Sequence, residues 1–175
     1  MDPDRPYFSY APNSGRPTVG YTLSELSAQT LVDAFVGSPY SASIDSRGRC
    51  IVKAHTLDVA VVAEPTFGAL FIWVLFTTRG RREEILEFCN RFNQRALACR
   101  AQLREEPFEN GSSVVIVSYE RLTRAEERLT DDDVVRLVDR VAGIVNHGMV
   151  EAGPGDLVWD TLRHLDVDAT QQNPN

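Results

Sequence analysis

The stretch Ala69-Leu70-Phe71-Ile72-Trp73-Val74-Leu75-Phe76-Thr77-Thr78 decides the fold. It carries no Gly, Pro or charge, and β-branched and aromatic residues dominate it, so it reads as a strand. Successive side chains of a strand point to opposite faces. Leu70, Ile72, Val74 and Phe76 therefore share one face, and Phe71, Trp73 and Leu75 share the other. Both sets are apolar. A sheet covered by helices on one side only should alternate apolar and polar residues. This strand does not, so its second face needs a cover. Burying a large apolar side chain is worth roughly 1.5–3 kcal/mol. Phe71, Trp73 and Leu75 are therefore the candidate protein-binding surface. The possible covers are an aromatic N-terminal arm, the C-terminal helix, a second copy of the chain or a client polypeptide.

Working outward, Pro65-Thr66-Phe67-Gly68 turns the chain into this strand, and residues 59–63 form a shorter apolar run before it. Residues 40–45 and 49–55 flank a turn at Ser46-Arg47-Gly48 and read as two more strands. Upstream, Thr22-Leu23-Ser24-Glu25 has the form of a capping box and predicts a helix that runs to Gly37. Residues 1–21, with four prolines and the aromatics Tyr7, Phe8, Tyr10 and Tyr21, read as an extended arm.

Downstream, Ile85, Phe88, Cys89, Phe92 and Ala96 recur at helical spacing and predict a helix over 81–96. Residues 97–103 then alternate like a half-buried strand, Asn110-Gly111 marks a turn, and residues 112–119 form another strand. Thr130 caps a third helix with the stripe Val134, Leu137, Val138, Val141 and Val145, and Gly148 is its expected stop. A short last helix is expected over 157–165, and residues 167–175 read as a disordered tail. The expectation is one α+β domain over 22–166. Its element order is α-β-β-β-α-β-β-α, with an antiparallel sheet of about five strands and helices mainly on one face.

Composition narrows the function. The 175 residues carry 43% hydrophobic and 25% charged side chains, ordinary for a globular domain. No apolar run reaches the roughly 18–20 residues of a membrane span. The first residues have neither the basic nor the apolar part of a secretory signal, so a cytoplasmic location is the expectation. Residues 1–100 hold 11 basic and 10 acidic groups (net +1), and residues 101–175 hold 7 and 15 (net −8). An acidic second half repels phosphates, which argues against nucleic acid and anionic membrane as partners. Cys50, Cys89 and Cys99 have no metal-binding or redox spacing and read as buried thiols.

No nucleophile, metal or phosphate-loop motif is present, and a non-enzymatic protein without a cofactor is expected. His55, His147 and His164 are far apart in sequence. Asp131-Asp132-Asp133 stands at a helix start, where acidic groups offset the helix dipole. Asp45-Ser46-Arg47-Gly48 lacks the spacing of a calcium loop. Arg79, Arg81 and Arg82 gather at the start of the second helix. They are a candidate anion-binding site for a small phosphorylated ligand or nucleotide, the alternative function.

The segment Phe88-Cys89-Asn90-Arg91-Phe92-Asn93-Gln94-Arg95, followed by the 99–103 strand, resembles the signature region of the YbjN family. Asn90 and Asn93 match its asparagines, and Phe92 stands where a tryptophan is usual. The order of elements over about 22–165 is similar as well. The resemblance implies the fold of type III secretion chaperones. These are small, acidic, cytoplasmic and commonly dimeric bacterial proteins that hold extended polypeptides on apolar patches. The expected role is a chaperone-like or regulatory adaptor that binds a protein or peptide segment, or itself as a homodimer. Asn90 and Asn93 would fix the helix end to the next strand by side-chain hydrogen bonds.

Overall fold

The computed structural model describes residues 19–96, 98–104, 112–153 and 157–161. The chain is α+β. Its main sheet has the strand order β2 (Ser41–Ile44), β3 (Cys50–Ala54), β4 (Leu57–Glu64), β5 (Ala69–Arg79), β7 (Ser113–Leu122) and β6 (Arg100–Leu103), all antiparallel. A short β9 (Val158–Thr161) joins the sheet against β5. The two-residue strands β1 (Gly20–Tyr21) and β8 (Leu129–Thr130) pair apart from it. The helices are α1 (Ala28–Ala34), α2 (Arg82–Arg95) and α3 (Asp131–Ala152).

β5 is central because it is long and apolar on both faces. It pairs with β7 over Ala69–Thr78 and with β4 over Ala69–Val74. β4 runs out at this end, which leaves the last residues of β5 with a free edge. β9 fills that gap over Phe76–Arg79, so backbone groups in an apolar neighbourhood are paired. The sheet is thus larger than the expected five strands. The helix expected over 157–165 is a strand as far as residue 161; residues 162–165 lie outside the described residues. Trp159 explains the strand. Its ring packs 4.5 Å from Phe88 and edge-on to Phe76 at 6.2 Å.

Two other expectations change. The Thr22 capping box closes a single 3-10 turn, Leu23–Glu25, with the Thr22 N–H donating to Glu25 Oε2 at 2.8 Å. α1 starts later, where Ser27 Oγ accepts from the Thr30 N–H at 3.1 Å. Gly148 does not end α3, which continues to Ala152 and stops at Gly153 with φ 67°. A Cβ on Gly148 would lie 2.5 Å from Cε2 of Phe92, so this glycine lets α2 and α3 approach closely.

All three helices cover one face of the sheet. Leu31 of α1, Ile85, Phe88 and Phe92 of α2, and Val134, Val138, Val141 and Val145 of α3 share a single core with Val52, Val59, Val61, Leu70, Ile72, Val74, Val115 and Val117. The acidic triplet opens α3 as expected of a helix entry: Asp133 accepts from Thr130 N and Oγ1 at 2.9 and 2.7 Å and returns its own N–H at 3.1 Å. The three thiols are buried and free, and burial pushes Cys50 up to about 12 and Cys89 and Cys99 to about 11. Residues 1–18, Leu97, the Asn110-Gly111 turn and the tail lie outside the described residues.

Candidate functional site

The strand register places Phe71, Trp73 and Leu75 on the face away from the helices. Trp73 stands between Ala60 of β4 and Ser118 of β7, Phe71 between Val62 and Glu120, and Leu75 beside Ile116. The three side chains are half-buried. The Phe71 and Trp73 rings lie 6.4 Å apart, tilted by 43°. Ile51, Ala60, Ala69 and Val114 are buried on this same face but do not belong to the main core. At one end the apolar strip runs on into Phe67 and Leu122, each 71% exposed. Leu122 is paired with Ala69, and Thr123 N donates to the Gly68 carbonyl at 2.9 Å, so the two side chains flank the same end of the sheet. Contiguous exposed apolar surface of this kind marks a contact surface.

Along its β6 side the strip borders a shallow polar groove of about 530 Å³, lined by Arg100, Gln102, Ser118 and Glu120 together with Asn93 and Cys99. The face thus pairs an apolar stripe with a row of donors and acceptors. That combination suits an extended polypeptide, which has apolar side chains and a polar backbone to satisfy.

The candidate anion site is less open. Arg79 is the last residue of β5, Arg81 caps α2 and Arg82 begins it; all three are exposed. The Arg81 guanidinium donates to Glu84 Oε1 through Nε at 2.8 Å and Nη2 at 2.5 Å, and the Arg81 N–H donates to Glu84 Oε2 at 3.1 Å. Glu84 thus occupies the position that an anion would take at this helix start.

The two asparagines separate. Asn93 reaches across to β6, where its Nδ2 donates to the Ala101 carbonyl at 3.0 Å and its Oδ1 accepts from the Ala101 N–H at 2.7 Å. The side-chain amide acts as a one-residue strand neighbour on the outer edge of β6. Asn90 is exposed, and among the described residues its side chain has no hydrogen-bond partner. Two arginines of the same helix hold α3 instead. Arg91 Nε donates to the Ala152 carbonyl at 2.8 Å, and Arg95 Nη1 to the Glu151 carbonyl at 3.0 Å. These satisfy carbonyls that a helix end leaves open.

One polar cluster has no counterpart among the sequence expectations. Asp139, 2% exposed in the middle of α3, accepts from His55 Nε2 at 2.7 Å and from the Tyr40 hydroxyl. His55 and Thr56 form the two-residue turn between β3 and β4 with φ of 50° and 72°, a conformation that costs non-glycine residues. The turn is held from outside. Besides the ring contact, Asn146 Nδ2 donates to the His55 carbonyl at 2.9 Å. One signal was available, a lone carboxylate at position 139 beside Val138 and Ala142 within an apolar stripe. The cluster's chemistry is that of a clasp between a hairpin and a helix.

Comparison with known proteins found no matching family model, and no curated protein or solved structure with significant similarity. No helix among the described residues is long and apolar enough to cross a membrane.

Proposed function

We propose that this chain is a polypeptide-binding module, chaperone-like or adaptor in role, that works through the helix-free face of its sheet. The observation that carries the reading is the half-exposed Phe71–Trp73–Leu75 stripe at the centre of a sheet whose other face is already fully used by three helices. Large aromatic side chains on a rigid strand make low-entropy anchors for a partner. The bordering row of Arg100, Gln102, Ser118 and Glu120 supplies partners for the backbone of an extended segment. A YbjN-like membership, a cytoplasmic location and a non-enzymatic role are parts of the same proposal. The clasp built by Asp139 supports the reading indirectly, because it ties down the hairpin at one side of the binding face.

The test uses a permanently unfolded polypeptide, reduced and alkylated, as a model client. Trp159 is replaced by Phe so that Trp73 is the single tryptophan, excited selectively with a client that has none. Titration is expected to move Trp73 emission to shorter wavelength and to slow aggregation of the client. Phe71→Ser with Leu75→Ser should abolish both effects while far-UV circular dichroism stays unchanged. A Trp73 signal indifferent to the client would refute the reading.

A further inference from the structure

We propose that the edge of β5 at Phe76–Arg79 is a strand-acceptor slot for another polypeptide. β9 fills it in cis until an extended segment with a large apolar residue two positions before an aromatic one displaces it. The slot does not depend on the reading of the helix-free face, because its side-chain pockets lie on the helix side of the sheet.

The slot exists because β4 and β9 share one edge of β5 end to end. β4 covers that edge as far as Val74, paired with Val59, and β9 takes over at Phe76. Without β9 the backbone groups at this end of β5 stand open on one side, a template for an added strand. Strand addition draws affinity from such backbone groups and specificity from pockets for alternate side chains. Two pockets of this kind are built here. Trp159 lies 4.5 Å from the Phe88 ring and edge-on to Phe76 at 6.2 Å. Two residues earlier, Leu157 lies against Gly80, where a Cβ would run into its Cδ2. Leu157 and Trp159 both pack on the core between helices and sheet. Residues two apart share a face of a strand, so the slot reads an apolar residue, any residue, then an aromatic one.

The hold on β9 is weak. The strand has only four residues, and ordering each of them from an open chain opposes docking. The Trp159 ring is half-buried, so its pocket is open to an incoming side chain. The indole N–H is nevertheless enclosed, and so is the hydroxyl of Thr78, the register partner of Trp159 on β5. Among the described residues neither atom has a hydrogen-bond partner. Enclosed polar atoms left unpaired weaken the contact that contains them. On its other edge β5 is paired with β7 over ten residues. β9 is therefore the part of the sheet that opens first.

The experiment uses the full chain and a fluorescein-labelled peptide that copies residues 157–161. Trp159→Ser removes the chain's own ring from the aromatic pocket. It should bind the peptide at least about ten-fold more tightly than the wild type, whose tethered β9 competes. Adding Gly80→Val to Trp159→Ser should abolish binding, because the new side chain fills the place of Leu157. A peptide with serine in place of its tryptophan should bind neither chain. Hydrogen exchange on the wild type is the second measurement, and it requires no variant to fold. The β5 amides that donate to β9 should exchange at least about ten-fold faster than those that donate to β4. One common exchange rate overturns the proposal. So does a peptide that binds Trp159→Ser no better than the wild type, or that ignores the loss of its own tryptophan. β9 exchanged between two copies, seen as a dimer that Trp159→Ser dissolves, overturns the assignment to a separate polypeptide. Each of these failures leaves the helix-free face standing, since the client titration reads Trp73 in a chain whose β9 keeps an aromatic ring.

Discussion

Replacing Asn93 tests how the edge of the sheet is held. Asn93→Ala removes two hydrogen bonds to Ala101, a residue only 2% exposed. Each bond contributes about 0.5–1.5 kcal/mol, and a buried backbone group left unpaired brings the upper part of that range. Alanine is the better helix former by about 0.5 kcal/mol, which offsets part of the loss. The net expectation is a destabilisation of about 1–2 kcal/mol. For a chain of this size that lowers Tm by roughly 2–8 °C. Asn93→Asp is the sharper variant. Its carboxylate still accepts from the Ala101 N–H but sets a second negative oxygen against the Ala101 carbonyl. It should be destabilised at neutral pH and recover relative to Asn93→Ala when acid protonates the new group. Urea unfolding followed by circular dichroism measures the stability, and hydrogen exchange at the Ala101 amide reports the edge itself. Asn90→Ala is the control and should stay within about 0.5 kcal/mol of wild type. If Asn93→Ala unfolds at the wild-type midpoint with unchanged exchange at Ala101, the edge-pin reasoning is wrong. Asn90 and Asn93 contributing equally would refute the division between them.

Gly148→Ala should destabilise by about 1–3 kcal/mol despite the gain in helix propensity, since the new methyl meets the Phe92 ring; Phe92→Leu in the same background should recover part of the loss in a thermal melt. Asp139→Ala removes the acceptor that the Tyr40 hydroxyl and the His55 ring share, leaves the 3.2 Å contact between those two groups, and should cost about 1–3 kcal/mol by urea unfolding, whereas an unchanged midpoint would remove the clasp. Asp45 provides a pH test. Burial raises its carboxyl, but the Arg49 N–H, the Arg49 guanidinium and the Arg47 N–H outweigh burial and hold it below the usual range. A depressed folded value means stability that is fully present above the ordinary carboxylate range and is lost as pH falls through the folded value. The gap between wild type and Asp45→Asn should therefore be constant from pH 5 to 8 and close on further acidification, as read from urea midpoints at each pH. The thiols of Cys50, Cys89 and Cys99 should resist alkylation at pH 8 in the folded chain and react together on unfolding, because burial raises all three.

Much of this protein was legible in its residues. β5 declares itself because ten consecutive residues without Gly, Pro or charge, rich in β-branched and aromatic side chains, read as a strand, and strict alternation assigns each one to a face. The period of Ile85, Phe88 and Phe92 and the Thr130 cap are local signals, and they located α2 and α3 because helix and cap are set by neighbours within a turn. The exposed face of Phe71, Trp73 and Leu75 follows from the same parity. What the residues could not show depends on which strand lies beside which. β9 exists because β4 stops short along β5, a matter of tertiary register and not of the local sequence at 158–161. Gly148 looks like a helix stop until Phe92 of another helix is found against it. The bond from the helix end to the next strand was expected of both asparagines, but only the structure gives it to Asn93 alone, and the Asp139 clasp joins residues 84 and 99 positions apart. Which polar residues border the apolar stripe is settled only once β4, β5, β7 and β6 are laid in order. Parity along a strand is a property of the chain, while adjacency between strands is decided by folding. Alternation along β5 requires a second apolar face, and only the pairing of the strands sets which side chains border it.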